Sequence, residues 1–264
     1  MDSQLTARYG ELESWHWWFR GRQRLVETVL QSEIGPSAAT FLTSLGSGPP
    51  SGLAWLSQWV RPGGTIVGVD CETYPQSTLA AIKFIVGSLE ATPLESASSD
   101  VVLALDVLEH LDDDAAGLRE AFRLLKPGGL LVITVPAMPS LWGQQDVISH
   151  HRRRYTEASL YQTFARSGLP PPKVTFFNTL LFPLIAGIRW TRAVLGRSRS
   201  GHSDFEDNRP GLVNDILATV LASERHALGK LPMPFGVSLL ATLRKQQYLV
   251  PRRFLQQPEL VAVP

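Results

Sequence analysis

Two glycines and an aspartate have the residue types and spacing of a ligand-binding site. Gly46 and Gly48 follow the apolar run Thr40–Leu45, and Asp70 ends a second apolar run. Glycine after a strand lets the main chain approach a ligand closely, and the next helix offers free N–H groups. An acid at the end of the second strand can accept both hydroxyls of a ribose. The three residues together predict a site for a sugar-bearing ligand, although the glycines alone are equally typical of an ordinary tight turn.

A pair of prolines in the same turn narrows the class of ligand. A dinucleotide site has the pattern G-x-G-x-x-G, but this turn reads Gly46-Ser47-Gly48-Pro49-Pro50-Ser51-Gly52. Pro49 and Pro50 have no N–H groups to donate to a pyrophosphate. A ligand without phosphates is therefore favoured.

Two histidines and a basic stretch could act on a second ligand. His110 stands in "DVLEHL", and His151 opens "HRRRY". Either imidazole could take a proton from a hydroxyl or amine near neutral pH. Arg153, Arg154 and Tyr155 could bind an anionic group. The alternatives are a capping or packing role for His110 and a solvated basic stretch leading into the next helix. No cluster has metal-ligand spacing along the chain, so no metal is predicted.

Seven apolar runs alternate with helical patterns, which predicts a parallel sheet covered by helices on both faces. Ligands of such sheets bind beyond the carboxyl ends of the strands. This rule places residues 44–52, 70, 87–90 and 106–110, and those from Pro136 onward, along one rim. The predicted strands are residues 40–45, 65–70, 82–87, 100–105, 130–137, 174–177 and 238–243.

The order of these patterns predicts one domain over residues 1–264. Residues 1–35 are expected to be helical, residues 40–178 and 236–245 to form the sheet core, and residues 179–235 to form a mostly helical insertion. Further helices are predicted over residues 53–60, 112–125 and 156–168.

Composition excludes several classes of function. The 25 basic and 24 acidic residues give a net charge of +1, which disfavours a nucleic-acid partner. The single cysteine, Cys71, rules out an internal disulfide and a multi-cysteine zinc site. The most apolar window, Phe176–Trp190, falls short of the roughly 20 residues that a spanning helix needs. We expect a cytoplasmic protein with peripheral membrane contact at one apolar surface.

The longest motifs in the sequence resemble those of a known family. The segments "LTSLGSGPPSGLAWL", "IVGVD" and "DVVLALDVLEHLDDDAAGLREAFRLLKPGGLLVITVPA" resemble the class I S-adenosylmethionine-dependent methyltransferases over roughly residues 40–170. The "WWFRGR" opening and "LWGQQDVISHHRRRY" resemble a bacterial subgroup found among small-molecule, lipid-linked or polysaccharide biosynthesis enzymes. The resemblance implies a Rossmann-like fold, a seven-stranded mostly parallel sheet, an N-terminal helical lid and methyl transfer.

The resemblance also implies residue roles. Gly46 and Gly48 would lie against the methionine portion and ribose of the cofactor, with Asp70 on the ribose hydroxyls. Ser88 and Leu89 would lie at the adenine. The implied cofactor-binding residues are Trp18, Phe19, Arg22, Ser44, Gly46, Ser47, Gly48, Asp70, Cys71, Ser88, Leu89, Leu105 and Asp106. The candidate catalytic residues are His110 and His151, and the candidate acceptor-binding residues are Trp142, Asp146, Arg153, Arg154 and Tyr155.

The aromatic opening suits a lid over the cofactor. Trp18 and Phe19 would close the pocket, and an aromatic face stabilises a sulfonium by about 0.5–2 kcal/mol. Arg22 or Arg24 would pair with the cofactor's carboxylate. The alternative is an apolar helix docked on the domain with solvated arginines.

Three positions depart from the family pattern. Ser44 replaces the first-strand acid, Pro50 replaces the third glycine, and Ser88 replaces the acid after Gly87. The leading hypothesis is methyl transfer to a small-molecule or lipid-linked acceptor, with oxygen as the methylated atom. Ser44 and Pro50 keep open a catalytically silent cofactor-binding scaffold or regulatory protein. A nucleotide-sugar or nicotinamide enzyme is a third hypothesis, which the proline pair disfavours.

Overall fold

The computed structural model describes residues 10–194, 209–231 and 233–246. Its seven strands confirm the seven predicted runs. They are β1 (Ala39–Leu45), β2 (Val60–Asp70), β3 (Ile82–Val86), β4 (Ser99–Leu105), β5 (Leu125–Pro136), β6 (Lys173–Phe177) and β7 (Ser238–Arg244). The helices are α1 (Trp17–Glu33), α2 (Asp114–Leu124), α3 (Gln144–Ile148), α4 (Glu157–Arg166), α5 (Phe182–Val194) and α6 (Leu212–Ser223).

The strands form one sheet in the order β3-β2-β1-β4-β5-β7-β6. Strands β1 to β5 pair in parallel, and β7 runs antiparallel to both β5 and β6. Alternate residues of β4 enter two different buried clusters: Val102 joins the cluster containing α2 and α4, and Leu103 joins the one containing α1 and α6. Helices therefore cover both faces, as the alternating pattern predicts.

The segment after β1 forms a 3₁₀ helix over Pro50–Trp59, which overlaps the helix predicted for residues 53–60. Its buried residues are Pro50, Leu53, Leu56 and Trp59. This spacing of three matches the three residues per turn of a 3₁₀ helix, so it buries a single stripe against the sheet. The sequence predicted a helix here without its type, because the apolar run alone does not separate the 3₁₀ period from the α-helical one.

The predicted N-terminal helix is interrupted at His16. Residues 10–15 are helical, α1 begins at Trp17, and residues 1–9 lie outside the described residues. His16 is the N-cap of α1, where its Nδ1 atom accepts a hydrogen bond from the Trp18 amide at 3.2 Å. Burial lowers the pKa of His16 to about 4, so the ring is neutral at physiological pH and retains this acceptor.

Helix α6 of the insertion packs against α1. A Cβ atom at Gly21 would lie 2.5 Å from the Cδ2 atom of Leu221, so a side chain at this position would separate the two helices. Asn214 joins them by accepting from the Trp17 amide at 2.8 Å and donating to the Trp15 carbonyl at 2.6 Å. Residues 195–208, which include most of the basic linker "RAVLGRSRSGHSD", lie outside the described residues. Within the described ranges, no helix has the length and apolar character required to cross a membrane.

Candidate active site

A cavity of about 990 Å³ lies beyond the carboxyl ends of the central strands, with α1 and α5 contributing to its walls. Most of the residues predicted from sequence line it: Trp18, Phe19, Arg22, Ser44, Gly46, Ser47, Gly48, Asp70, Cys71, Leu89, Leu105, Asp106, His110, Asp146, His151 and Arg154. Four others lie outside this lining: Ser88, Trp142, Arg153 and Tyr155.

The glycine turn and Asp70 form one wall of the cavity. Gly46 and Gly48 both have left-handed backbone, with φ of 59° and 62°. A Cβ atom at Gly46 would lie 2.5 Å from the Cγ2 atom of Val107. The Asp70 carboxylate accepts from the Gly48 amide at 2.9 Å and the Glu72 amide at 3.1 Å. The acid therefore fixes the glycine turn at the position where a ligand would lie.

Asp106 connects the end of β4 to α1. It has a positive φ of 57°, a conformation that is uncommon outside glycine and is often found at functional sites. Its carboxylate accepts from the Thr134 hydroxyl at 3.0 Å and forms an ion pair with Arg22. Arg22, predicted to bind the cofactor's carboxylate, therefore also connects α1 to the end of β4.

The aromatic side chains of α1 occupy different environments. Trp18 stacks on Phe177, with ring centroids 5.7 Å apart and planes inclined by 15°. Phe19 is buried, and the Arg22 guanidinium lies over its ring at 5.4 Å from the centroid. The Arg22 guanidinium therefore covers one face of the Phe19 ring. Trp18 and Phe19 both line the cavity.

Glu13, which the sequence analysis did not identify, points into the glycine turn. A Cβ atom at Gly52 would lie only 2.0 Å from the Oε2 atom of Glu13. This oxygen is buried and has no hydrogen-bond partner in the described part of the chain. Burial raises the pKa of Glu13 to about 7, with Arg22 opposing and Asp70 adding to the shift. The only signal in the sequence was an acid two residues before the tryptophan cluster.

Asp146 and His151 form a hydrogen-bonded pair that also lines the cavity. The Nδ1 atom of His151 lies 2.9 Å from Oδ1 of Asp146. Arg154 and Arg189 also pair with Asp146, at 2.8 and 3.2 Å. Burial alone would raise the pKa of Asp146, but the His151 hydrogen bond and the two arginines outweigh it and hold this pKa well below its usual range. An ionised Asp146 orients the imidazole so that Nε2 is left for another partner.

His110 and Glu109 stand beside this pair. The rings of His110 and His151 are perpendicular, with centroids 4.7 Å apart. Burial and the neighbouring His151 lower the pKa of His110 to about 4. Burial and the nearby Asp106 charge raise the pKa of Glu109 well above its usual range. The ligand atoms of Glu109, His110 and His151 all lie within 4.8 Å of one another, an arrangement that spacing along the chain did not reveal.

Comparison with known proteins identifies a family for the segment that contains the glycine turn and the end of β4. Residues 43–133, from β1 into β5, match the family model described as a methyltransferase domain. The chain contains a methyltransferase domain.

The methyltransferase domain is similar to proteins named for their use of S-adenosylmethionine. One from Mycolicibacterium smegmatis, named a probable S-adenosylmethionine-dependent methyltransferase, is 30% identical over 128 residues, which cover 46% of this chain and 46% of that protein. S-adenosylmethionine is the cofactor of this class of domain. The chain spans 36–46% of the length of four curated relatives that it matches.

Solved structures show that the methyltransferase domain has the class I fold. One similar chain comes from a Haloferax volcanii complex between the Trm112 methyltransferase activator and a protein titled a putative methyltransferase. The match has a TM-score of 0.57 and 19% identity, and it covers 93% of this chain and 96% of that chain. Haemonchus contortus phosphoethanolamine N-methyltransferase 2, in complex with S-adenosyl-L-methionine, has a TM-score of 0.52 and 17% identity, covering 86% of this chain and 53% of that chain.

The residues present in the methyltransferase domain fit its cofactor. The left-handed glycines leave space for a ligand to approach the main chain, and Asp70 stands at the end of β2 where a ribose is bound in such sheets. Glu13 offers an unpartnered buried oxygen on the same side. Glu13 carries an ionisable carboxyl group, whereas Ser44, which is buried in the cavity wall, does not.

Several predicted acceptor residues make structural contacts after β5. The Tyr155 hydroxyl donates to Asp114 at 3.0 Å, and Arg153 pairs with the same carboxylate at 3.0 Å. Arg154 is buried, with donors directed to the Ala137 and Val237 carbonyls and to Asp146. These contacts hold the segment after β5 in place, and the acceptor role of Arg153 and Tyr155, which do not line the cavity, stays a prediction.

Trp142 and Ser88 also lie away from the cavity. Trp142 is exposed, and the Ser88 hydroxyl accepts from the Glu90 amide at 3.2 Å within a turn. Of the pair predicted at the adenine, only Leu89 lines the cavity.

Proposed function

We propose that this protein transfers a methyl group from S-adenosylmethionine to a hydroxyl group of a small-molecule or lipid-linked acceptor in a biosynthetic pathway. The observation that carries the proposal is one cavity lined both by the glycine turn with Asp70, here called the cofactor end, and by the Asp146–His151 pair, here called the acceptor end. A donor and an acceptor held in a single cavity can be aligned for direct displacement.

The cofactor end is built from residues of the sheet edge and the lid. Asp70 and the Gly48 amide bind the ribose side, and the carboxylate of Glu13 pairs with the ammonium group. Arg22 exchanges its ion pair with Asp106 for one with the cofactor's carboxylate, since arginine's planar fork suits this group. Bound S-adenosylmethionine supplies the reactive methyl group on its sulfonium.

The acceptor end favours a group that must lose a proton. The Nδ1 atom of His151 is held by Asp146, so Nε2 is free to take the proton of an acceptor hydroxyl. A base with an orienting carboxylate is needed for a hydroxyl more than for an amine that is already nucleophilic. This pairing supports oxygen as the methylated atom.

An apolar surface at the cavity favours an acceptor with a hydrocarbon portion. Leu184 and Ile188 of α5 line the cavity and remain 54% and 44% exposed. Leu180, Leu212 and Val213 are also exposed on the insertion. Such side chains gain about 25 cal/mol per Å² when a ligand or membrane removes them from water. This supports a lipid-linked acceptor and peripheral membrane contact.

The test is methyl transfer to a series of hydroxylated acceptors that differ only in the length of an alkyl chain. We expect turnover per unit of acceptor concentration to increase with chain length, and Leu184→Asp to remove that dependence without lowering the melting temperature. Leu79→Asp, at an exposed apolar residue outside the cavity, is the matched control. Equal dependence in wild type and Leu184→Asp contradicts the proposed acceptor end.

A catalytically silent scaffold that binds S-adenosylmethionine is the second candidate. Ser44 and Pro50, which depart from the family pattern at the glycine turn, favour it. Cofactor binding without transfer to any hydroxylated acceptor of the series would support the scaffold over the enzyme.

A further inference from the structure

Three potential metal ligands meet at the acceptor end of the cavity. Glu109 and His110 belong to a 3₁₀ turn, Leu108–His110, that follows β4, and His151 follows α3. Their ligand atoms all lie within 4.8 Å of one another, with Nε2 of His151 lying 4.0 Å from Oε1 of Glu109. His110 and His151 both line the cavity, as does Glu109.

Each imidazole already has an outer partner. Nδ1 of His151 is held by Asp146 at 2.9 Å, and the His110 ring has a hydrogen bond with the main chain of Ser149. Histidines that bind metals are commonly oriented in this way, with one ring nitrogen held by a carboxylate or carbonyl and the other on the metal. Asp146 is itself fixed by Arg154 and Arg189, which makes it a rigid support.

Glu109 is the second, independent sign of a ligand. Its side chain is 0% exposed, and neither carboxylate oxygen has a hydrogen-bond partner within residues 10–194, 209–231 and 233–246. A buried carboxyl group without partners is costly, whereas coordination of a cation satisfies it. The two nearby arginines are engaged elsewhere, Arg22 with Asp106 and Arg154 with Asp146.

We propose that Glu109, His110 and His151 bind a divalent first-row transition-metal ion at the acceptor end of the cavity. Two imidazoles and one carboxylate match the donor set of catalytic Zn²⁺ sites, which keep at least one position open. Mg²⁺ prefers oxygen ligands and is disfavoured. Ligand atoms around tetrahedral Zn²⁺ lie roughly 3.3 Å apart, so the three side chains close inward when the ion binds.

This inference rests on the proposed function and refines its acceptor chemistry. An acceptor hydroxyl that fills the open position has its pKa lowered by the cation, and its proton leaves to solvent. The oxygen then forms a bond to the methyl carbon, the methyl–sulfur bond breaks, and its electron pair remains on sulfur. The two histidines act as ligands in this form, and the cation replaces His151 as the group that activates the hydroxyl.

The experiment titrates the tag-free, chelator-treated full chain with Co²⁺, followed by visible absorption, and with Zn²⁺, Mn²⁺ and Mg²⁺ in a calorimeter. We expect one Co²⁺ per chain with the visible bands of nitrogen and oxygen ligation. Glu109→Gln and His110→Asn should abolish uptake, and Asp146→Asn should weaken it by about 10–100-fold because Asp146 orients a ligand. His226→Asn, at an exposed histidine outside the cavity, should bind as wild type does.

S-adenosylhomocysteine binding, measured on the same metal-free protein, separates the two proposals. Normal binding of S-adenosylhomocysteine with no uptake of Co²⁺, Zn²⁺ or Mn²⁺ overturns the metal site and leaves the proposed function standing. Metal uptake without S-adenosylhomocysteine binding supports the site and contradicts the proposed function. Unchanged uptake in a folded Glu109→Gln or His110→Asn variant overturns the assignment to these ligands. If those variants do not fold, the wild-type titration decides alone.

Discussion

At the residue scale, Asp70 has the most direct consequence for cofactor binding. Its carboxylate holds the Gly48 and Glu72 amides and stands where the ribose hydroxyls would lie. Removal of a charged hydrogen-bond partner from such a site costs about 1.5–3 kcal/mol. We expect Asp70→Ala to weaken S-adenosylhomocysteine binding by about 10–100-fold in calorimetry, because 1.4 kcal/mol corresponds to a factor of ten. Glu95→Ala, at an exposed acid, is the control, and equal affinity in the two variants would reject this role.

Glu13 gives the cofactor affinity a pH dependence. Its pKa is raised to about 7, so the carboxyl is largely neutral below this pH and carries a charge above it. Arg22 and Asp70 are the charged groups that face it. We expect S-adenosylhomocysteine affinity to rise as the pH increases from 6 to 8, because only the ionised form pairs with the ammonium. Glu13→Gln should flatten this profile, and Glu11→Gln, an exposed acid on the same helical segment, should retain it.

The raised pKa of Glu13 also affects stability, but in the opposite direction: stability falls with rising pH where cofactor affinity increases. Because burial raises the pKa of Glu13 from 4.5 to about 7, the cofactor-free folded state retains a proton that the unfolded chain has lost in this window. The contribution of Glu13 to the free energy of unfolding therefore falls as the pH rises from about 4.5 to 7. Thermal melts of wild type and Glu13→Gln across this range should converge at low pH and separate toward pH 7. A difference in melting temperature between the two proteins that stays constant across this pH range would contradict the raised pKa of Glu13.

Sequence reasoning located some of these residues and missed others for a physical reason. Gly46, Gly48 and Asp70 could be identified from the sequence because their roles depend on positions next to strand ends. Glu13 and Glu109 were not, because an acid's role depends on what surrounds it after folding. The reverse also occurred with Arg153 and Tyr155, which look like anion ligands in the sequence but contact Asp114 in the structure.

At the scale of elements, α1 and α6 behave as one unit over the cavity. Asn214 of α6 accepts a hydrogen bond from the Trp17 amide of α1 and donates one to the Trp15 carbonyl just before it. We expect Asn214→Ala to lower the free energy of unfolding by about 1–3 kcal/mol, since two buried polar groups lose their partner. Hydrogen exchange over residues 17–33 should accelerate, and S-adenosylhomocysteine binding should weaken with it. Thr219→Ala, at an exposed position of the same helix, is the control. Unchanged exchange in Asn214→Ala would show that α1 is held without α6.

The elements themselves were largely predictable, and the exceptions have identifiable causes. All seven strands were recognisable as short apolar runs bounded by glycine, proline or acidic residues. A helix was predicted where the 3₁₀ helix Pro50–Trp59 lies, but not its 3₁₀ geometry, because apolar spacings of three and of three-to-four overlap in so short a segment. The interruption of the N-terminal helix was hidden because histidine is an unusual N-cap.

At the scale of the whole molecule, the chain order of strands and helices predicted the class I sheet, but the shape of the cavity required the fold. The insertion between β6 and β7 contributes α5 to one wall and α6 to the support of α1. These contacts join segments that are far apart in sequence, so no local pattern could indicate them. The acceptor end has the same origin, since α3, the turn after β4 and α5 meet only in the folded chain.

Binding of the methyl donor in this cavity is tested most directly by calorimetric titration of the purified chain with S-adenosylhomocysteine. We expect saturable binding of one S-adenosylhomocysteine per chain and no binding of NAD, because the proline pair at 49–50 removes donors that a pyrophosphate needs. Absence of S-adenosylhomocysteine binding by a chain that shows a cooperative thermal melt, or binding of NAD in its place, would contradict it.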